Sequence, residues 1–203
     1  MKSFKNILIY ISVVFVVVAL SGCEGKTDIR VLQNGGVSFE FEGNIGGTFK
    51  EMIGDDIVID SQSIKTELLA SGFTNVKVSV VQDLIKISFV DEKRKSPLFA
   101  LGIFSMKGND LSISLTPENF LALYNDCGEE LQSMLDLFLS PVLNDEVMSE
   151  DEYVDTISVT YGQEAGDEID KSVVRFSVTN GYGKIKKRSV FVKNILCGGK
   201  IYF

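Results

Sequence analysis

Val37-Ser38-Phe39-Glu40-Phe41-Glu42 decides the fold class of this 203-residue chain. Successive side chains of an extended strand point to opposite faces. Val37, Phe39 and Phe41 therefore share one face, and Ser38, Glu40 and Glu42 the other. Such alternation belongs to a sheet with one dry and one wet side. Immediately upstream, residues 29–33 read as a partner strand, with Asn34-Gly35-Gly36 as the turn between them.

The pattern recurs outward from this hairpin. Val76, Val78 and Val80 alternate with polar residues, as do Ile85, Ile87 and Phe89, which predicts a hairpin across Gln82-Asp83. Residues 101–106 and 111–115 predict another around Gly108-Asn109-Asp110. Residues 172–179, 184–193 and 200–203 close the chain as strands of that same sheet, the first two joined by a turn at 180–183.

Three helices interrupt the strands. Residues 61–71 carry a cap at Asp60 or Ser61, an apolar stripe of Ile64, Leu68 and Leu69, and a stop at Gly72. Thr116 and Pro117 open a longer helix over 117–139, about 35 Å at 1.5 Å per residue. Its stripe runs through Phe120, Tyr124, Cys127, Leu131, Leu135 and Phe138. Ser149 and Glu152 match a capping box ahead of Tyr153, Ile157 and Tyr161, with Gly162 as the stop. Residues 43–47 read as a glycine-rich loop, 91–96 as a charged connector and 163–170 as a polar acidic loop. The expected fold class is α+β: one largely antiparallel sheet built from hairpins, with two or three helices packed on one face.

Composition narrows the chemistry. The chain holds no His and no Trp, and its net charge is −8. Without His, Ser-His-Asp and Cys-His catalysis are excluded, as is nearly every catalytic zinc arrangement. The acidic balance argues against nucleic acid, which favours a basic face. No metal-ligand spacing and no cofactor motif is present; the loop at 43–47 lacks the Lys and Ser/Thr of a phosphate-binding loop. Glu40 and Glu42 read as a solvated strand face. Lys184, Lys186, Lys187 and Arg188 form the densest basic cluster, and Lys93-Arg94-Lys95 a smaller one; both read as solvated surface. No residue is expected to be catalytic.

The first residues have a different logic. Lys2 and Lys5 give a basic start, residues 7–20 are almost wholly apolar, and Leu20-Ser21-Gly22-Cys23 closes the run. This is the layout of a secretory signal, and the run is short of the roughly 20 residues a spanning helix needs. The ending resembles the lipobox of bacterial lipoproteins, which are cut before a cysteine that carries lipid. The later arrangement, from the hairpin ending in Phe39-Glu40-Phe41-Glu42-Gly43 to the closing strands, loosely resembles small bacterial lipoproteins, spirochaetal ones included. The resemblance implies a signal peptide over 1–22, a lipidated Cys23 with a short tether to residue 28, and one α+β domain over 29–203. It implies a cell membrane or outer membrane location, with the domain facing the periplasm or the cell surface.

Two or three acyl chains hold a protein firmly where one holds it marginally. The membrane is then the first partner, reached through Cys23, and an envelope protein or small ligand the second. Three functions stay open: a structural or interaction module, a carrier of a small apolar ligand or lipid, and a carboxylate-dependent enzyme. The first is expected. Cys127, on a helical stripe, and Cys197, just ahead of the last strand, are a candidate disulfide, because export removes a chain from the reducing cytosol.

Overall fold

The computed structural model describes residues 21–47, 60–125, 132, 136 and 148–203. Among them the fold is α+β, largely antiparallel, with two sheets instead of the one expected. β1 (Ser21–Val31), β2 (Val37–Ile45), β3 (Thr74–Val81), β4 (Leu84–Asp91), β7 (Val173–Thr179) and β8 (Ile185–Phe191) form a six-stranded sheet in the order β3-β4-β2-β1-β7-β8. β5 (Phe104–Lys107), β6 (Asp110–Leu115) and β9 (Ile201–Tyr202) form a second, in the order β5-β6-β9. The last strand thus belongs to the small sheet. The one parallel pairing among the described strands is β1 with β7.

The hairpins read from alternation are present, with their turns where glycine or an αL residue was available. Gly35 takes φ 82° and Gln82 φ 55°. Two stretches read otherwise from sequence are regular. Residues 24–28, expected to be a tether, lie inside β1, with Glu24 opposite Val173 and Lys26 opposite Glu42. Small Gly25 and polar Thr27 fill the buried face there, which hides the alternation from a count of apolar residues. Gly43 is likewise a strand residue, buried opposite Gly25.

The helices are α1 (Ser61–Ala70), α2 (Pro97–Ala100), α3 (Pro117–Asn125), α4 (Glu150–Tyr161), α5 (Gln163–Lys171) and α6 (Val192–Leu196). Asp60 caps α1, accepting from the Gln62 and Ser63 amides at 3.1 and 3.0 Å. Ser149 and Glu152 cap α4 reciprocally, as their spacing predicts. α5 replaces the expected acidic loop: Ala165, Gly166 and Ile169 are buried at helical spacing beneath a polar exterior. Of the long helix expected over 117–139, the part to Asn125 is helical as read; Cys127, Leu131, Leu135 and Phe138 lie outside the described residues.

One core joins everything. Ile29, Phe39, Phe41, Ile85 and Ile87 from the large sheet meet Leu68, Phe73, Ile157 and Ile169 from the helical side and Ile113 and Leu115 from the small sheet. The helices and the small sheet cover one face of the six-stranded sheet. Glu24, Lys26, Arg30, Glu40, Lys86 and Arg175 stand exposed on the other. Thr27 sits on the covered face at 1% exposure, and its Oγ1 has no hydrogen-bond partner. A buried unpaired hydroxyl costs about 1–3 kcal/mol. Thr27→Val keeps the β-branched shape and removes the orphan, so it should stabilise the domain by about 1 kcal/mol. Urea unfolding checks this; a loss of stability would mean that the hydroxyl finds a partner in solution.

Candidate functional site

The open face of the six-stranded sheet is a large polar surface whose arrangement is fixed by the register. Two cross-strand rows follow from the pairing. One reads Ser79, Lys86, Glu42, Lys26, Arg175, Ser189 from β3 to β8. The next reads Lys77, Ser88, Glu40, Asp28, Ser177, Lys187. The sheet is shallowly concave along them, with a hollow of about 480 Å³ over Lys26, Asp28, Glu40 and Lys86. A second of about 360 Å³ lies over Lys26, Arg175 and Lys187.

The charges are partly matched. Arg175 clamps Glu24 with two parallel bonds, Nη1 to Oε2 at 2.6 Å and Nη2 to Oε1 at 2.7 Å. The bonds to Arg175, then its charge, hold the Glu24 carboxyl below its ordinary pKa, and the same bonds raise Arg175. Lys86 meets its cross-strand partner Glu42 at 2.9 Å. Asp28 and Glu40 are direct cross-strand neighbours, a placement that like charges resist. Among the described residues neither has an ion pair. The carboxylates therefore lie on an open, charged surface rather than in a narrow cleft.

The basic cluster does not act as one patch. Alternation splits it: Lys187 joins the open face opposite Ser177, whereas Lys186 and Arg188 face the other way opposite Val178 and Phe176. Arg188 is committed to the C-terminus. Its Nη1 donates to the Tyr202 carbonyl at 3.0 Å, and its guanidinium lies 5.9 Å from the Phe203 ring centre. Phe203 in turn packs on Phe176 at 5.2 Å, which ties the small sheet to the large one.

Cys23 lies in β1, one residue ahead of the Glu24–Val173 pairing. Cys197 sits directly after α6 as a half-buried thiol whose Sγ lies 3.9 Å from the Ser149 carbonyl. Burial, then the Glu150 charge, pushes this thiol up to about 11, so it is a poor nucleophile at neutral pH. Cys127, its candidate partner, lies outside the described residues.

A second constellation does not stand out in the sequence pattern. Lys193 of α6 has a side chain only 15% exposed and reaches Asp170 at 2.7 Å, Glu150 at 3.9 Å and Asp151 at 4.0 Å. Asn194 adds a bond to Glu150 at 2.8 Å. The signal was available: Val192, Ile195 and Leu196 repeat at helical spacing and are buried. The bond to Asp170 raises the Lys193 pKa, opposed by desolvation. A raised lysine pKa gives stability that is fully present below the ordinary lysine value and is lost as pH climbs through the raised one. Lys193→Met should therefore cost roughly 1–2 kcal/mol at pH 7 and leave three acids unmatched. Its deficit against the parent should shrink in strongly alkaline solution. Paired urea titrations across pH test this; a deficit independent of pH would assign Lys193 a packing role alone.

Among the described residues no group of three or more Cys, Asp or Glu could hold a metal ion. No helix there is long and apolar enough to cross a membrane. Compared with protein-family models, with curated proteins and with solved structures, the chain matches none.

Proposed function

We propose that this chain is a lipid-anchored interaction module of the bacterial cell envelope, acylated at Cys23 and presenting its open sheet face to an envelope partner. The observation that carries the reading is the leader: a basic start, a short apolar run and Leu20-Ser21-Gly22-Cys23 in one continuous stretch. The position of β1 supports it in a specific way. The pairing with β7 begins at the residue after Cys23, so no slack separates an acyl anchor from the folded domain. A module held that close to a membrane engages neighbours through a rigid surface rather than by searching on a long leash. The open face, with its charge pattern locked by two sheet rows, is such a surface; complementary charge gives specificity and speed of encounter more than raw affinity.

The test is metabolic labelling with a radioactive fatty acid, followed by detergent partitioning. The parent chain should take up label and enter the detergent phase. Cys23→Ser should lose the label and retain the leader, seen as a larger mass than the processed parent. Label retained by the Cys23→Ser chain would overturn the anchoring.

A further inference from the structure

The register places more than Cys23 at one end of the six-stranded sheet. One row beyond the Lys86–Glu42–Lys26–Arg175 ladder, Val81 pairs with Leu84 and Leu84 with Asn44. On the other side of β1, Glu24 pairs with Val173 and Val173 with Phe191. This last row of the open face is therefore flanked by Val81 and Leu84 on one side and by Val173 and Phe191 on the other. Val81 is 64% exposed and Phe191 52%, each the last residue of an edge strand. β1 and its Cys23 lie between them. At about 4.8 Å per strand, Phe191 is roughly 10 Å to one side of β1 and Val81 roughly 14 Å to the other.

We propose that this rim docks on the lipid bilayer beside the acylated Cys23, with Val81, Leu84 and Phe191 entering the interfacial layer. The inference rests on the acylation proposed above and adds a defined orientation to it. Three observations choose lipid as the occupant. First, Glu24 is already in the sheet, so a diacylglycerol on the neighbouring cysteine would bring the rim to headgroup level without any spacer to hold it off. Second, the rim exposes Val81 and Phe191, residue types that settle at a membrane interface, and the one acid in its open-face row, Glu24, is clamped by Arg175. Third, a ladder of cations lies about 7 Å farther from the anchor, two strand residues along. In it Arg175 and Lys86 are matched by Glu24 and Glu42, whereas Lys26 has no ion pair among the described residues and can meet a lipid phosphate.

The charges around the rim also fix its tilt. Asp83 lies at the β3–β4 turn, and Glu150, Asp151 and Asp170 cluster round Lys193 on the helical side of the same end. An acidic helical side turns away from anionic headgroups, so the rim end of the open face nears the surface, while the Lys77-to-Lys187 row, farther from the anchor, stays free for a partner. The opposite end of β8 serves as an internal control. Ile185 is 55% exposed, on the same face and six residues from Phe191, which is about 20 Å along the strand.

The absence of Trp gives a clean reporter. Phe191→Trp, Val81→Trp and Ile185→Trp are each made in the full chain, processed in a bacterial host and reconstituted into phosphatidylcholine–phosphatidylglycerol vesicles with brominated acyl chains. Intact mass establishes acylation first. Phe191→Trp and Val81→Trp should be quenched several-fold more than Ile185→Trp and should emit at shorter wavelength. Equal quenching of all three, or no quenching of either rim variant in acylated protein, would overturn the docking and leave the anchor standing. A blue-shifted but unquenched Phe191→Trp would mean that protein, a second copy included, covers the rim, and would also overturn it. A chain found unacylated by mass would overturn the anchoring and this inference with it. The two rim reporters sit on different strands, so a folding defect in one variant leaves the other readable.

Discussion

Phe39→Ala should lower the stability of the domain by about 3–5 kcal/mol, the cost of a large aromatic core truncation. Phe39 is 2% exposed on β2 and stacks on Phe89 of β4 at 4.9 Å with an interplanar angle of 16°. Phe89 continues to Phe73 at 4.3 Å, and Phe73 follows directly on α1 and its glycine stop. The three rings thus carry the packing from the middle of the large sheet to the first helix. Truncation removes the transfer energy of the ring and leaves a void that the flanking strands, held by their ladders, cannot close. A domain of this size is stable by about 5–15 kcal/mol in all, so the variant should sit near its folding limit. Guanidinium titration should move the midpoint strongly while the slope stays constant. A shift worth less than about 1 kcal/mol would show that the aromatic cluster is not the centre of the core.

Gly166→Leu should come next, at roughly 2–3 kcal/mol, for the opposite reason: there is no room. Gly166 is buried in α5 where that helix leans on α4. A Cβ at this position would run into the Ser158 hydroxyl and come within 3.1 Å of the Val154 carbonyl oxygen. The hydroxyl, which donates to that same carbonyl at 2.9 Å, can swing away. The carbonyl cannot, because it belongs to the α4 backbone. The helices must then separate, although Gly162 at φ 99° pins them one residue apart in sequence. Thermal unfolding of Gly166→Ala and Gly166→Leu separates the effects. Alanine gains up to about 1 kcal/mol of helix propensity against its clash, whereas leucine adds a far larger clash to a similar gain. A leucine variant as stable as the parent would refute the close approach.

What the sequence made legible depended on side-chain size. Wherever the buried face carried Val, Ile, Leu or Phe, as in β2, β4 and β7, alternation located the strand and its partner. Where Gly25 and Thr27 filled that face, β1 resembled a polar tether. Where Ala165 and Gly166 did so, α5 resembled an acidic loop. Small residues bury without raising the local hydrophobicity, so periodicity alone passes over them. Capping chemistry, by contrast, was read directly at Asp60, Ser149 and Glu152, because it depends on spacing and not on packing. The open face was legible only in part. Glu40 and Glu42 were placed on the wet side from β2 itself, but the rows that set Lys26 beside Arg175 and Asp28 beside Glu40 need the order of strands. So does the division of Lys186, Lys187 and Arg188 between two faces.

The parallel joining of β1 to β7 also sets a timetable. Glu24 and Arg175, clamped together in the finished sheet, are 151 residues apart in the chain. A ribosome adding about 5–20 residues per second makes the first strand roughly 8–30 s before the seventh exists. Through that interval β2 and then β4 and β3 can assemble on one side of β1, while its other side shows bare amide and carbonyl groups. A bare strand edge invites another chain to complete it. The β7–β8 hairpin, the last of this sheet to emerge, is the natural piece for two crowded molecules to exchange, so a swapped dimer is the expected misassembly of this chain.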